Sequence, residues 1–261
     1  MTLKVAKEKV LDFIDQGELV DLAKRMISFQ SYPPDENPVM EFVAKFMQDQ
    51  GMETKLMEVE PGRTQPLGTL KGTGDGQSLM FNGHLDIDPM TLEEEEAWTR
   101  SGRDPFSAVV EDGRFYGQGI GNMKGGVAAM IIGAMAVKRA TIPLKGDLLV
   151  APVVGELQGG VGTHYLVQKR ILTDYALVPE PSGLTIRLFT AGVIRLLINT
   201  IGKSVHVGST HVRKPVHALE KMCKVVNALR DIKFTFKPKA EVPHLPRMVV
   251  GSIMGLSLIH I

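Results

Sequence analysis

The sequence predicts an α/β fold, in which helices cover a central β-sheet. Helical periodicity is clear in "VMEFVAKFMQDQG", where apolar residues recur at steps of three and four and Gly51 stands at the C-terminal end. A nearly all-apolar segment, "GDLLVAPVVGE", is typical of a strand buried on both faces. Such helices and buried strands alternate along the chain, which indicates α/β layering. With 44% hydrophobic residues among 261, the chain can bury the core of one large domain or somewhat more.

The first ninety or so residues predict two helices followed by three short strands. Residues 3–29 and 37–51 have helical periodicity, and the proline-containing "SYPPDENP" between them indicates a loop. The strands, each next to glycine or proline, are "METKLMEVE", "GTLKGTG" and "SLMFNGHLD". The acidic, irregular segment "DPMTLEEEEAWTRSGRDPF" then predicts a surface loop. Its run Glu93–Glu96 lacks the spaced ligands and glycine of a calcium loop, so we expect solvated charges there.

The rest of the chain predicts more α/β layering and then a change of character near residue 187. The α/β elements are a helix in "NMKGGVAAMIIGAMAVKRA", the strand "GDLLVAPVVGE", a helix over 162–169 and the strand "YALVPEP". Farther on, "IRLFTAGVIRLLINTIGKS" alternates polar and apolar residues like half-exposed antiparallel strands, and "PVHALEKMCKVVNALRDI" is an amphipathic helix. We therefore expect two domains, residues 1–186 and a partial α+β domain over 187–261.

Charge and cysteine content narrow the classes of partner and compartment. Lys and Arg total 30 against 29 Asp and Glu, so we expect no electrostatic binding to nucleic acid or to an anionic membrane, and a small molecule or peptide is favoured. Cys223 is the only cysteine, which excludes an internal disulfide. The N-terminal segment lacks the apolar core of a signal peptide, and "GGVAAMIIGAMAV" is too short and glycine-rich for a membrane span. These features predict a cytoplasmic protein.

Four polar side chains follow predicted strands directly. His84 and Asp86 come after "SLMF", Glu156 after "LLVAPVV" and Glu180 after "YALV". Open α/β sheets bind ligands at the C-terminal ends of their strands, so these groups can converge. A histidine with carboxylates suits zinc or a similar cation, and Asp86 is spaced to orient the imidazole. Taken singly, the His-x-Asp pair also fits a capped turn, and Glu156 also fits a charge at a helix entry.

A glycine-rich turn, "GRFYGQGIGNMKGG", leads into the helix that begins near Lys124. Its spacing matches neither the dinucleotide-binding pattern nor the phosphate-binding loop that ends in Gly-Lys-Ser/Thr, so we do not expect a nucleotide site. The methionines between Met123 and Met135 are expected to pack in the core.

Taken together, several segments resemble the zinc aminoacylase/carboxypeptidase G family, which includes acetylornithine deacetylase and succinyl-diaminopimelate desuccinylase. In chain order they are "NGHLDIDP", "WTRSGRDPFSAVVEDGRFYGQG", "GGVGT", "PEPSGL" and "GKSVHVGS". The resemblance implies a three-layer α/β catalytic domain with a central mixed sheet, interrupted by a smaller α+β, ferredoxin-like lid that mediates homodimerisation. It also implies metal-dependent hydrolysis of an amide bond in N-acyl amino acids or small peptides. Zinc is the cofactor implied, and the donor types also suit cobalt or manganese.

The resemblance assigns roles position by position. His84 and Glu180 match ligands of one metal, and Asp86 matches the carboxylate that orients the histidine. Glu156 matches the general base, which in the family activates a water held between two metals and then protonates the leaving amine. His206 matches the lid histidine that stabilises the oxyanion, often from the partner subunit.

Three departures from the family pattern modify this expectation. Asn122 stands where the family has a bridging aspartate, and Leu157 where it has a second glutamate, so we expect one firm metal, at His84 and Glu180 with help from Asn122. A one-residue shift of the alignment would instead make Glu156 a ligand. The chain also ends within the resemblance to the lid, at "GSIMGLSLIHI", which predicts an incomplete lid. A relative that binds small ligands without catalysis, or an inactive fragment, is the alternative.

Overall fold

A five-stranded mixed sheet organises the first of two units into which the chain divides, Met1–Leu188 and Phe189–Ile261. The computed structural model describes residues 2–188, 190, 192–237, 239–240 and 246–255. The strands are β1 (Glu53–Glu60), β2 (Arg63–Leu70), β3 (Leu79–His84), β4 (Val109–Glu111), β5 (Arg114–Tyr116), β6 (Leu148–Val153) and β7 (Tyr175–Leu177). The sheet has the order β1-β2-β6-β3-β7, and β4 and β5 form a separate hairpin. The prediction of an α/β fold with a mixed sheet is confirmed.

Three neighbouring strands of this sheet run parallel, which decides where the site lies. β3 pairs with β6 in a parallel register that places His84 opposite Val153, and β3 pairs with β7 with Phe81 opposite Leu177. β1, β2 and β6 are joined by antiparallel pairings. Because β3, β6 and β7 point the same way, the residues that follow them emerge at one edge of the sheet.

Helices pack on the sheet and supply most of the core. They are α1 (Leu3–Leu11), α2 (Gln16–Ile27), α3 (Asn37–Asp49), α4 (Leu92–Ser101), α5 (Gly125–Arg139) and α6 (Val161–Gln168). The first predicted helix, over 3–29, is two helices, because the Asp15 carboxylate accepts hydrogen bonds from the N–H groups of Gly17 and Glu18 and so begins α2. Gly51, just beyond α3, has a φ of +72°, as expected for the residue that ends a helix.

α5 is the central helix of the core. Its apolar residues are buried together with those of α2, α3 and the sheet, as Val127, Ile131 and Met135 illustrate. The stretch Ile120–Arg139 is long and apolar enough by composition to cross a membrane, yet more than half of it is buried inside this unit. Packing against its neighbours therefore accounts for its apolar character.

The acidic segment after β3 is a helix and not the predicted loop. α4 begins at Thr91, whose side chain accepts a hydrogen bond from the Glu94 N–H while the Glu94 carboxylate accepts one from the Thr91 N–H. This capping box is a local signal for a helix start that outweighs the irregular apolar pattern. The charges of Glu93–Glu96 are exposed, as expected.

The second unit contains α7 (Ala218–Arg230), a short 3₁₀ turn (Val207–Ser209) and an isolated antiparallel bridge between Lys203 and Val216. α7 confirms the predicted amphipathic helix. The prediction of strands between residues 186 and 204 is wrong for the described part of that segment. An extended chain forms a strand only when it pairs with a neighbouring chain segment, and the described residues there show one bridge, from Lys203 to Val216. The incomplete lid is predicted from residues 251–261, and the last six of these, 256–261, lie outside the described residues.

Candidate functional site

His84 is the centre of the site. It is the last residue of β3, only 2% exposed, and its two ring nitrogens face different sets of acceptors. Nδ1 lies 2.9 Å from the backbone oxygen of Asp86 and 3.4 Å from its Oδ1. Both atoms can only accept, so Nδ1 carries a hydrogen and Nε2 is the nitrogen that a metal ion can bind in place of a proton.

Nε2 of His84 faces three oxygens that come from three other segments. The Oδ1 atom of Asn122, in the turn that enters α5, is 3.1 Å away. Glu180 Oε1, beyond β7, is 3.5 Å away, and Glu156 Oε2, beyond β6, is 4.0 Å away. The structure thus brings together His84, Asp86, Asn122, Glu156 and Glu180, which the sequence places up to about a hundred residues apart.

The charges around His84 favour a cation at this point. Burial lowers the pKa of His84, but the hydrogen bond and the charge of Asp86 outweigh that effect. With further contributions from Asn122 and Glu180, the pKa rises from 6.5 to about 9. Burial, together with the charges of Glu156 and Asp86, raises the pKa of Glu180 although His84 opposes it. The positive charge on the imidazole ring therefore offsets the repulsion among the carboxylates around it. A bound cation would offset the same repulsion.

The donor set fits a divalent metal ion. Two ligand atoms that each lie about 2.0–2.2 Å from one cation are at most about 4.4 Å apart. The oxygens of Asn122, Glu180 and Glu156 all lie within this distance of His84 Nε2. Among the residues that the structure describes, no three His, Cys, Asp or Glu side chains already surround one point, so the amide oxygen of Asn122 is needed to complete the set. His84, Glu180 and Asn122 would hold the ion.

Asp86 also supports the segment that carries Glu156. Its Oδ1 accepts the N–H of Glu156 at 3.1 Å and its Oδ2 accepts the N–H of Leu157 at 2.9 Å. Burial raises the pKa of this carboxyl, but the hydrogen bonds from His84 and from these two amides outweigh it and hold the pKa below its usual range. Asp86 is therefore an ionised, fully buried link between the histidine and the carboxylate proposed as base.

A cavity of about 160 Å³ opens beside this cluster and is lined in part by His84, Asp86, Asn122 and Leu157. Glu94 of α4 also lines it, whereas the sequence predicts a solvated loop at this position. The capping box Thr91-x-x-Glu94 is the sequence signal that would have placed this side chain at a helix start.

Other candidates lie outside the cluster. His164 is exposed on α6. Lys124 is fully buried, and its Nζ donates hydrogen bonds to the backbone oxygens of Met26 and Phe29, so it holds helix α2 and not a phosphate. His206 belongs to the second unit, where it is exposed and its Nδ1 accepts the Gly208 N–H at 3.1 Å.

With this geometry established, comparison with known proteins decides the family. A model of Peptidase family M20/M25/M40 matches residues 80–250, which include every residue of the cluster. The chain belongs to this family. Its members are metal-dependent, and the resemblance seen in the sequence is confirmed.

Two relatives have names that refer to the removal of an acyl group. The chain is 31% identical over 230 residues to an N-formyl-4-amino-5-aminomethyl-2-methylpyrimidine deformylase from Bacillus subtilis, which covers 83% of this chain and 52% of the relative. It is 29% identical to a succinyl-diaminopimelate desuccinylase from Nautilia profundicola, over 82% of this chain and 57% of the relative. The chain thus spans little more than half the length of these curated relatives.

Solved structures support the fold. A tripeptidase from Staphylococcus aureus matches 82% of this chain and 57% of its own, with a TM-score of 0.54 and 17% identity. Human carnosine dipeptidase 1 matches 66% of this chain and 40% of its own, with a TM-score of 0.51 and 22% identity.

Proposed function

We propose that this protein hydrolyses an amide bond in N-acyl amino acids or small peptides with the help of a divalent metal ion. The observation that carries the proposal is the meeting of Asn122, Glu156 and Glu180 oxygens around Nε2 of His84 at the C-terminal edge of the parallel strands. Relatives named as a deformylase and a desuccinylase support an amide substrate with a small acyl group.

In this proposal the residues of the site divide the work between orientation and proton transfer. A bound divalent cation supplies Lewis acidity and lowers the pKa of a water that it binds. Asp86 holds the His84 ring with Nδ1 protonated, so that Nε2 stays available. Glu156, whose side chain is 48% exposed, can accept a proton from the attacking water and deliver it to the departing amine.

The number of metal ions follows from the departures from the family pattern at Asn122 and Leu157. A carboxylate can give one oxygen to each of two cations and offset their repulsion, whereas Asn122 offers one neutral oxygen and Leu157 offers none. We therefore propose one firmly held ion per chain. Zinc is the first choice, with cobalt or manganese as alternatives for a nitrogen and oxygen donor set.

The remaining roles are proposed from the family resemblance. Residues 1–186 would form the main part of the catalytic domain, and residues 187–261 part of a lid that mediates homodimerisation. His206 would stabilise the oxyanion of the reaction, delivered from the partner subunit. We propose that the enzyme acts in the cytoplasm.

Metal content and turnover, measured on the same samples, test the proposal. Elemental analysis of the purified protein should give about one metal ion per chain, and N-acyl amino acids and dipeptides should be hydrolysed. His84→Ala should lose both the ion and turnover. Glu156→Gln should keep the ion and lose turnover, because it removes the base and not a ligand. His164→Ala, a histidine on the exposed face of α6, is the matched control and should change neither.

Each contrary result has a distinct meaning. Two ions per chain would contradict the one-metal assignment but not the hydrolysis. If the unaltered protein and Glu156→Gln both bind the ion but hydrolyse no amide, the result favours the alternative, a relative that binds small ligands without catalysis. The departures from the family pattern at Asn122 and Leu157 are the reason for that alternative.

A further inference from the structure

We propose that Glu36 and Arg63, two buried residues outside the metal site, position Glu156 for proton transfer by anchoring the turn that carries it. The turn runs from Gly155 to Gln158 between β6 and α6. The proposal rests on the proposed function for the role of Glu156, and it adds to that site a support that the local sequence does not reveal.

Glu36 and Arg63 form a buried ion pair. Glu36, at the start of α3, is 0% exposed, and Arg63, at the start of β2, is 5% exposed. Arg63 Nε donates to Glu36 Oε2 at 2.9 Å, and Nη2 donates to Oε1. Removing two charges from water is costly, and a buried pair by itself is weak evidence of a stabilising role. The other bonds of the pair therefore indicate what it does.

Both members of the pair reach the turn. Glu36 Oε1 accepts the N–H of Gly155 at 3.1 Å. Arg63 Nη1 donates to the side-chain Oε1 of Gln158 at 2.7 Å. Gly155 has a φ of +66°, and a Cβ at this position would lie 2.9 Å from Arg63 Nη2, so the backbone of the turn rests directly on the guanidinium group.

Four successive backbone N–H groups, from Val154 to Leu157, are held by side chains of other segments. Gln65 Oε1 accepts the first at 3.3 Å and Glu36 the second, while Asp86 accepts the third and fourth. A run of backbone amides bound by side-chain oxygens, three of the four amides by carboxylates, fixes the path of the backbone. Asp86 holds one side of the turn to the metal site, and the Glu36–Arg63 pair holds the other side to α3 and β2.

The position of Glu156 depends on this anchoring. Its side chain is 48% exposed, so core packing does not fix the position of its carboxylate. The backbone of the turn therefore places the carboxylate near His84. A displacement of the turn by about 1 Å can lower a catalytic rate about a hundredfold. Glu36 and Arg63 are buried and act on Glu156 through the turn that they bind, so both are positioning residues.

Three variants and one control test the proposal in the metal-loaded protein. Gln158→Ala cuts one anchor and leaves the buried pair intact, so it should fold normally. Arg63→Lys keeps the charge but not the two-sided geometry of the guanidinium group, and Glu36→Gln keeps an acceptor but not the charge. The control is Glu18→Gln. Glu18 accepts two hydrogen bonds from Arg139, and Arg139 also donates one to Gln50, so the group resembles Glu36, Arg63 and Gln158 but lies away from the turn.

The readouts separate positioning from stability. We expect kcat to fall about tenfold to a hundredfold in Glu36→Gln and Arg63→Lys and less in Gln158→Ala, with KM changed less than about twofold and metal content unchanged. Amide hydrogen exchange of residues 154–160 should become faster in the same order. Glu18→Gln should lower the unfolding midpoint without altering kcat or the exchange of this turn.

Contrary outcomes are equally distinct. If the unaltered protein is active and the three variants keep its kcat, or if Glu18→Gln lowers kcat as much as they do, the inference is overturned and the proposed function stands. If the unaltered protein hydrolyses no amide, the proposed function fails and the catalytic role of the anchor fails with it. Unchanged exchange of residues 154–160 in Glu36→Gln would overturn the anchoring itself.

Discussion

Asp86 connects His84 with the turn that carries Glu156. Its carboxylate faces the His84 ring and accepts the amides of Glu156 and Leu157, about seventy residues farther along the chain. A carboxylate can accept these hydrogen bonds together because its two oxygens offer about four lone-pair positions. The single oxygen of a neutral amide offers about two. The residue therefore couples the orientation of the histidine to the position of the Glu156 turn.

Asp86→Asn should weaken metal binding and turnover together. The new amide would turn its own N–H groups towards either the His84 Nδ1 hydrogen or the amides of the turn, so at least one hydrogen bond is lost. Loss of a ligand's hydrogen-bond partner typically lowers metal affinity about tenfold to a hundredfold, and we expect the same here, measured by competition with a coloured chelator. Asp88→Asn, at an exposed aspartate beside the same cavity, is the matched control, and an equal loss in both variants would contradict the prediction.

The raised pKa of His84 predicts how the stability of metal-free protein depends on pH. The folded-state pKa is about 9 against 6.5 for a free histidine, so the protonated ring stabilises the fold fully below about pH 6.5 and this stabilisation is lost as the pH rises through 9. The difference corresponds to about 3 kcal/mol. Chemical unfolding in the presence of a chelator at pH 6, 7.5 and 9 measures it. His84→Asn should remove this pH dependence, whereas His164→Asn should retain it.

At the level of elements, the contact between α5 and the segment after β7 places Glu180. A Cβ on Gly126, in the first turn of α5, would lie 2.4 Å from the backbone oxygen of Pro179. Only a glycine allows the strand-end segment to lie this close to the helix. The helix therefore fixes Asn122 at its entry and supports Glu180 through Gly126.

Gly126→Ala and Gly133→Ala should have opposite effects although both replace a glycine of α5. The first forces Pro179 and its neighbour Glu180 away from His84, so we expect a loss of about 1–3 kcal/mol in unfolding free energy and weaker metal binding. The second meets nothing within 4 Å and should stabilise the helix by up to about 1 kcal/mol. Thermal unfolding and metal titration of both variants measure the contrast. Equal behaviour of the two would show that the Pro179 contact does not hold Glu180.

Across the first unit as a whole, a bound ion would connect the end of β3, the entry to α5 and the segment after β7. A ligand that binds only the folded state stabilises it by about 2.7 kcal/mol when its concentration is a hundred times its dissociation constant. We therefore expect zinc to raise the unfolding midpoint of the protein, and a chelator to reverse the shift. His84→Ala should abolish the shift, and an equal shift in that variant would mean that zinc binds elsewhere.

Local patterns allowed most of the first unit to be predicted, and the errors have physical causes. The apolar period of α3 and α5 and the buried strands β3 and β6 are local properties of the chain. α4 was missed because its helix signal lies in the Thr91–Glu94 capping box and not in apolar spacing. The strands expected beyond residue 186 failed because strand formation needs a partner that a single segment cannot specify.

Short segments were enough to predict the α/β class and to single out His84, Asp86, Glu156 and Glu180, because strand ends and donor types are local properties of the chain. The resemblance to a known family added Asn122 to this set. The way these groups are held became clear from the packing of the whole chain. Glu36 and Arg63 are 27 residues apart, and Glu36 lies 119 residues from Gly155, whose amide it binds. Hydrogen bonds over such separations depend on how the whole chain packs, so no local pattern could have revealed that the turn bearing Glu156 is anchored from α3 and β2.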